Sequence, residues 1–68
     1  MEYFDYEEAA REAGLSADAL RKIVDGARRE FPADDMMFEL HVLRTCMAIR
    51  QGWVTVQQTV AAEAATRT

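Results

Sequence analysis

A glycine turn around Gly14, set between two helical patterns, constrains the fold of this chain more than any other feature. At the end of a helix the chain commonly turns through a left-handed conformation, which costs a residue with a Cβ roughly 1–2 kcal/mol and costs glycine nothing. Ala10 is small enough for a second helix to cross closely, at an axial separation of about 8–10 Å. Leu15 enters the core from the turn, and the Ser16 hydroxyl accepts a hydrogen bond from a free backbone N–H. We therefore expect two helices joined by a tight turn, the second beginning at about Ala17.

This second helix has one apolar face and one charged face. Apolar side chains recur at the spacing of a single helical face and are predicted to form the core. They are Leu20, Ile23, Val24, Ala27 and Phe31. The opposite face carries Asp18, Arg21, Lys22, Asp25, Arg28 and Arg29. Four of the eight basic residues of the chain therefore lie on one helix, as in a helix that reads DNA.

The run Ala-Ala-x-x-Ala-Gly-Leu-Ser-x-x-x-Leu-Arg, at residues 9–21, resembles the helix-turn-helix family of DNA-binding domains. It is closest to the opening of small excisionase-like and MerR-like regulators, and the resemblance covers the first half of the chain. The basic hairpin wing of MerR-like regulators has no counterpart here, because residues 31–35 lead directly into another helix. The resemblance implies that the second helix enters the major groove with its N-terminal residues towards the base edges. The predicted DNA contacts are Ala17, Arg21, Lys22, Arg28 and Arg29, with Asp18 among the groove-facing positions.

The charge balance sets a condition on DNA binding. The net charge is −4, whereas DNA affinity comes mainly from basic groups that neutralise phosphates. A two-fold dimer would double the small basic footprint and place two such helices one DNA turn apart, about 34–36 Å. We therefore expect a small helix-turn-helix transcriptional regulator that acts as a homodimer.

The same acidity supports an alternative function of a different class. The first helix carries Glu7, Glu8 and Glu12, with tyrosines close by. In this alternative the chain is an acidic helical interaction module, for example a small inhibitor or adaptor. It would dock on a basic protein surface and would not bind DNA.

Capping signals predict the helix boundaries. Asp5 followed three residues later by Glu8 has the spacing of a capping box and predicts a first helix from about Tyr6 to Ala13. Pro32 ends the second helix, and an aspartate at 34 or 35 caps a third helix that stops at Gly52. Thr55 and Gln58 repeat the capping-box spacing and predict a short C-terminal helix at 55–65.

The third helix carries two apolar seams, and an apolar surface this wide requires two packing partners. The first seam, which we expect to close the core, consists of Met36, Leu40, Leu43 and Met47. The second, which we expect to meet the C-terminal segment or a second subunit, consists of Val42, Cys46, Ile49 and Trp53. The predicted fold is an all-α, three- to four-helix bundle, a single domain over residues 1–68. It contains the helix-turn-helix at 5–31, the long helix at 34–51 and the short helix at 55–65.

Other function classes lack their sequence signatures. Sixty-eight residues give little room for a substrate pocket, so we expect no enzyme, no cofactor and no small-molecule substrate. His41 has no Cys or His partner at metal-ligand spacing, and Cys46 is predicted to be an inert buried thiol. A lone cysteine, an acidic N-terminus and the lack of a long apolar run predict a cytoplasmic protein without a membrane span.

Overall fold

Three helices, in an all-helical arrangement, build the part of this chain that the structure describes. The computed structural model describes residues 3–55 and 57–59, and α1 is Tyr6–Glu12, α2 is Ala17–Glu30 and α3 is Asp35–Gln51. Both α1 and α2 pack mainly against α3, so α3 is the element that holds the core together. The expected all-α class is confirmed.

Each of the three helices begins at a side chain that satisfies a free backbone N–H. In all three cases an oxygen of the cap accepts from the N–H three residues later, at 3.1 Å. The caps are Asp5, Ser16 and Asp34. The predicted starts of α1 and α2 are confirmed, and the structure selects the first of the two aspartates proposed for α3.

The helix ends also follow the sequence signals. Gly14 and Gly52 have φ angles of 77° and 82°, the left-handed conformation that glycine adopts without a Cβ penalty. After Gly14 the N–H of Leu15 returns to the carbonyl of Ala10 at 3.0 Å, which directs the leucine side chain onto the core. The helix α2 ends at Glu30, two residues before Pro32.

One buried cluster joins the three helices. Its fully enclosed large side chains are Ile23, Val42 and Cys46, each with no exposed surface. The other members are Ala10, Ala27 and Phe38. Around them pack Tyr6, Ala9, Leu15, Leu20, Val24, Phe31 and Ile49. The predicted core face of α2 is confirmed, since every one of its members lies in or against this cluster.

The structure corrects the roles expected for the two seams of α3. Val42 and Cys46 are completely buried, and Ile49 is partly buried and packs against the core cluster, so these three side chains help to form the core of the chain. Trp53 is 78% exposed. The seam expected to close the core instead faces outwards, with Met36 and Met47 each 47% exposed and Leu40 and Leu43 half-buried. The α3 face that carries Phe38 is the one that α1 and α2 cover.

A buried carboxylate fixes the segment before α1. Glu39 is only 5% exposed, and its Oε1 accepts hydrogen bonds from the backbone N–H groups of Tyr3 and Phe4 at 3.0 and 3.1 Å. A buried charge is tolerated when such bonds replace its hydration. Glu39 therefore holds the N-terminal segment against α3, a role that no periodicity in the sequence indicated.

A reciprocal capping box follows α3. The Thr55 hydroxyl accepts from the N–H of Gln58 at 3.0 Å, and the Gln58 side chain accepts from the N–H of Thr55 at 2.9 Å. Residues 57–59 are helical and Thr59 is buried, as expected for the start of the predicted helix at 55–65. Position 56 and positions 60–65 of that prediction lie outside the described residues. Within the described ranges, none of the helices combines the length and apolar character needed to cross a bilayer.

Candidate nucleic-acid interface

The N-terminal half of α2 presents a polar surface to solvent. The Ser16 cap and the glycine turn fix where α2 starts, and the burial of Ile23 fixes its rotation. This rotation leaves Ala17 exposed and places the side chains of Arg21 and Lys22 68% and 51% exposed. The predicted base-facing positions therefore share one accessible face at the start of a helix.

Asp18 neutralises part of this face. Its carboxylate forms ion pairs with Arg21, one turn away, and with the Nζ of Lys22 at 3.4 Å. All three side chains are more than half exposed, and ion pairs in that setting are weak and screened by salt. The two cations are thus held by an anion that a stronger acceptor can replace.

Arg28 is engaged within the fold. Its guanidinium carbon lies 3.8 Å from the centroid of the Phe38 ring. One of its nitrogens is 2.9 Å from the Asp35 carboxylate and donates to the carbonyl of Phe31 at 3.3 Å. Together these contacts join the end of α2 to the start of α3. The structure therefore gives Arg28 a structural role that the sequence analysis did not anticipate.

Arg29 differs from its neighbour. It is exposed on α2, and among the residues that the structure describes it forms no ion pair. Of the predicted DNA contacts, Ala17, Arg21, Lys22 and Arg29 are therefore accessible at the surface of α2, whereas Arg28 contacts Phe38, Asp35 and the Phe31 carbonyl.

The first helix carries the acidic surface named in the alternative hypothesis. Glu8 pairs with Arg11, and Glu12 pairs with Arg50 of α3 at 2.8 Å. Glu7 is exposed and has no ion pair within the described residues. The acidic surface is therefore partly neutralised, with Glu7 as its free charge.

Burial and nearby charge change the protonation of two core-edge groups. Burial, followed by the carboxylates of Glu39 and Glu7, raises the pKa of the Tyr6 phenol, and Arg28 opposes this effect. Burial also raises the pKa of the Cys46 thiol. A buried neutral thiol is a poor nucleophile, in line with the inert role expected for this cysteine.

A shallow groove of about 380 Å³ lies along α3 and the segment that follows it. Its lining residues are His41, Arg44, Thr45, Ala48, Val54, Gln58 and Thr59. The two threonine hydroxyls donate to backbone carbonyls, at 2.9 and 3.1 Å. Within the described residues no group of His, Cys, Asp and Glu side chains is arranged to hold a metal ion.

Sequence reasoning missed Phe38 and Glu39, the residues of α3 that contact Arg28 and the N-terminal segment. The only available signal was their position next to the apolar seams, and a glutamate in that position is ordinarily exposed. No protein-family model, curated protein or solved structure matches the chain. Any functional proposal for this chain therefore rests on the geometry and charge of its own residues.

Proposed function

We propose that this protein binds double-stranded DNA as a small helix-turn-helix transcriptional regulator, with α2 as the reading helix and two copies acting together. The observation that carries this proposal is the accessible face at the start of α2, which follows a left-handed glycine and a serine cap. In helix-turn-helix proteins the residues at this end of the second helix approach the base edges. The sequence resemblance and the exposure of this face support the same assignment.

Each accessible residue has a distinct role in this proposal. Ala17, at the first position of α2, has a small side chain that lets the helix terminus approach the DNA closely. Arg21 and Lys22 are long enough to reach base edges or phosphates, and an arginine binds guanine through two parallel hydrogen bonds. Arg29 neutralises a phosphate further along the backbone. Arg28 keeps α2 oriented through its contacts with Phe38 and Asp35.

In this proposal the Asp18 carboxylate competes with DNA phosphates for Arg21 and Lys22. A phosphate that approaches Arg21 and Lys22 replaces the Asp18 carboxylate as their acceptor. The aspartate then lies near the phosphate and weakens sequence-independent attraction, so that binding depends more on base contacts. Asp18 therefore lowers affinity for arbitrary DNA in this proposal.

Fluorescence anisotropy with a labelled random-sequence duplex, measured at several salt concentrations, tests the proposal. We expect binding that weakens steeply with salt, because each phosphate neutralised makes the slope of log K against log salt more negative by about 0.9. The double variant Arg21→Ala with Lys22→Ala should no longer raise the anisotropy of the duplex, while its helicity by circular dichroism stays unchanged. Binding that survives this double change would contradict the proposed role of α2.

A pair of single substitutions separates a specific contact from a loss of charge. Arg21→Ala and Arg44→Ala both remove one exposed arginine, but only the first lies on α2. We expect Arg21→Ala to reduce the salt slope by about 1 for each subunit that contacts DNA, and Arg44→Ala to leave it unchanged. Equal effects would mean that the chain responds to net charge only.

Asp18→Asn should change the affinity for DNA in the opposite direction. Removing this carboxylate releases Arg21 and Lys22 and takes away a like charge from the phosphate, so affinity for the random duplex should rise. The expected increase is roughly tenfold at low salt, which corresponds to about 1.4 kcal/mol. Unchanged or weaker binding would contradict the proposed position of α2 on DNA.

A second function, the acidic interaction module, is favoured by a separate observation. Glu7 is exposed without an ion pair, and Tyr3 nearby is 51% exposed, on a chain of net charge −4. In this case the protein ignores DNA even at low salt, and Glu7→Lys with Glu8→Lys abolishes pull-down of a basic protein partner. Capture that is unchanged by these charge reversals would remove the acidic surface from that role.

A further inference from the structure

The one tryptophan of the chain has an exposed ring on a fixed backbone. Trp53 is 78% exposed, more than any other large apolar side chain in the described residues. Its N–H donates to the carbonyl of Ala48, and the N–H of Gly52 donates to the carbonyl of Ile49, both at 3.0 Å. Together with the left-handed glycine, these two bonds form a Schellman motif, in which the residue after the glycine frequently packs back on the helix. Here the motif holds the Trp53 backbone in place while its indole ring remains in solvent.

The direction of α1 defines one end of the bundle. The ring of Tyr6, at the start of α1, lies 6.1 Å from that of Phe38, near the start of α3. The carboxylate of Glu12, at the end of α1, lies 2.8 Å from Arg50, near the end of α3. The two helices therefore run in the same direction and finish at the same end of the bundle, which we call the Gly52 end.

The start of α2 also lies at the Gly52 end. Arg28, in the last turn of α2, contacts Asp35 at the start of α3, so α2 runs in the opposite direction to α3. Ala17, the first residue of α2, is about 16 Å from Arg28 along the helix. Only residues 13–16 join the end of α1 to the start of α2. Trp53 and the predicted base-facing positions of α2 are therefore at the same end of the molecule.

The two ends of the bundle differ in charge. Every charged side chain that the structure describes lies on one of the three helices or caps one. The helix halves nearer to the Gly52 end carry five basic residues and two acidic ones, Glu12 and Asp18. The halves nearer to the opposite end carry eight acidic residues and two arginines. DNA is therefore attracted to the Gly52 end and repelled by the opposite end. The five basic residues are Arg11, Arg21, Lys22, Arg44 and Arg50.

We propose that Trp53 is a second DNA contact of this protein, which donates its indole N–H to a phosphate beside the groove that α2 enters. The inference deepens the proposed function and rests on it. An indole has an apolar face that packs on a deoxyribose and a single N–H donor for a phosphate oxygen. Contacts to phosphates and sugars fix the register of a protein on the duplex. Because the Schellman motif already orders the Trp53 backbone, this contact loses little conformational freedom on binding.

Tryptophan fluorescence tests the contact directly, because Trp53 is the only tryptophan in the chain. Titration with an unlabelled random-sequence duplex at low salt should change the emission over the same range of duplex concentration as the anisotropy. The bound duplex should also protect the ring from quenching by acrylamide. A duplex that binds by anisotropy but leaves acrylamide quenching unchanged would overturn the inference and leave the role of α2 in place. A duplex that does not bind would overturn both.

Substitution of Trp53 separates a neutral contact from a cationic one. Trp53→Ala should raise the dissociation constant roughly tenfold, as for the loss of one hydrogen bond to a charged group. It should leave the salt slope unchanged, because the indole neutralises no phosphate. Arg21→Ala, in contrast, should change both the affinity and the slope. An unchanged affinity in Trp53→Ala, or a reduced salt slope, would contradict the proposed contact.

Tyr3→Ala is the matched control. Tyr3 is an aromatic residue that is 51% exposed, and its N–H bonds to Glu39 near the start of α3, at the opposite end of the bundle. Its side chain should not contact DNA, so the affinity for the duplex should stay unchanged. Circular dichroism checks that both variants fold. Equal weakening by Tyr3→Ala and Trp53→Ala would overturn the assignment of the Gly52 end to DNA.

Discussion

Two faces of α3 have similar apolar spacing but different exposure. The inner face carries Phe38, Val42, Cys46 and Ile49, and the outer face carries Met36, Leu40, Leu43 and Met47. Each face presents four large or medium apolar positions at helical spacing, yet Val42 and Cys46 have no exposed surface while Met36 and Met47 are each 47% exposed. The difference is the number of neighbours, since α1 and α2 both pack on the inner face. Apolar periodicity therefore shows that a helix has two apolar faces but does not show which of them packs in the core.

Aspartate substitutions on the two faces should give the largest contrast. Val42→Asp places an unpaired carboxylate in a fully enclosed position, which costs about 3–5 kcal/mol, as much as a core of this size supplies. Met47→Asp places the same charge at a half-exposed position. We expect Val42→Asp to be unfolded and Met47→Asp to retain its helical circular dichroism. Equal loss of structure in both variants would contradict the assignment of the faces.

Removing Glu39 should have the next largest effect, because it lies at the border between the two faces. Glu39→Ala leaves the N–H groups of Tyr3 and Phe4 without their acceptor, at an expected cost of about 1–3 kcal/mol in urea unfolding. Glu39→Gln keeps an oxygen in place and should cost less. If the two variants are equally destabilised, the negative charge rather than the hydrogen bonds holds the N-terminal segment.

Truncating Leu43 measures how much the outer face contributes within one chain. The periodicity of the sequence predicts a core residue here and a cost of about 2–5 kcal/mol for Leu43→Ala. Because the side chain is half-buried and outside the core cluster, we expect about 1 kcal/mol instead. Ile23→Ala, at a fully buried position, is the control and should cost about 2–5 kcal/mol. Similar midpoints in urea for both variants would contradict the contrast.

Ionisation of the Cys46 thiol, on the inner face, should have the smallest effect on stability, and only at alkaline pH. Burial raises the pKa of Cys46 above its ordinary value of 9.0, so unfolding releases a proton once the pH exceeds that ordinary value. The stability associated with the neutral thiol is therefore complete below about pH 9 and is lost as the pH rises through the raised pKa. Urea unfolding between neutral and alkaline pH measures this decline.

Thiol reactivity at neutral pH provides the control for that measurement. Cys46 should react with a disulfide reagent only as fast as the chain unfolds. A cysteine on the outer face, in Cys46→Ala with Met47→Cys, should react at once. Rapid reaction of Cys46 in the folded protein would contradict its burial.

The candidate DNA-binding face could be predicted in part from the sequence. The exposure of Arg21 and Lys22 follows from the apolar spacing of Ile23 and Ala27, which sets the rotation of α2. The engagement of Arg28 could not be predicted, because it depends on Phe38 and Asp35 of the next helix. The sequence pattern around an arginine near the end of a charged helix face is the same whether that arginine contacts solvent, DNA or an aromatic ring.

The sequence by itself determined where the helices begin and end. Caps such as Ser16 and the left-handed glycine at position 52 act through hydrogen bonds and dihedral angles within a few residues, so their signals are local. The tertiary structure alone decided which face of α3 is core, where Glu39 is buried and what Arg28 contacts. These outcomes depend on how α1 and α2 share the surface of α3, and the free energy of that packing comes from residues far apart in the chain.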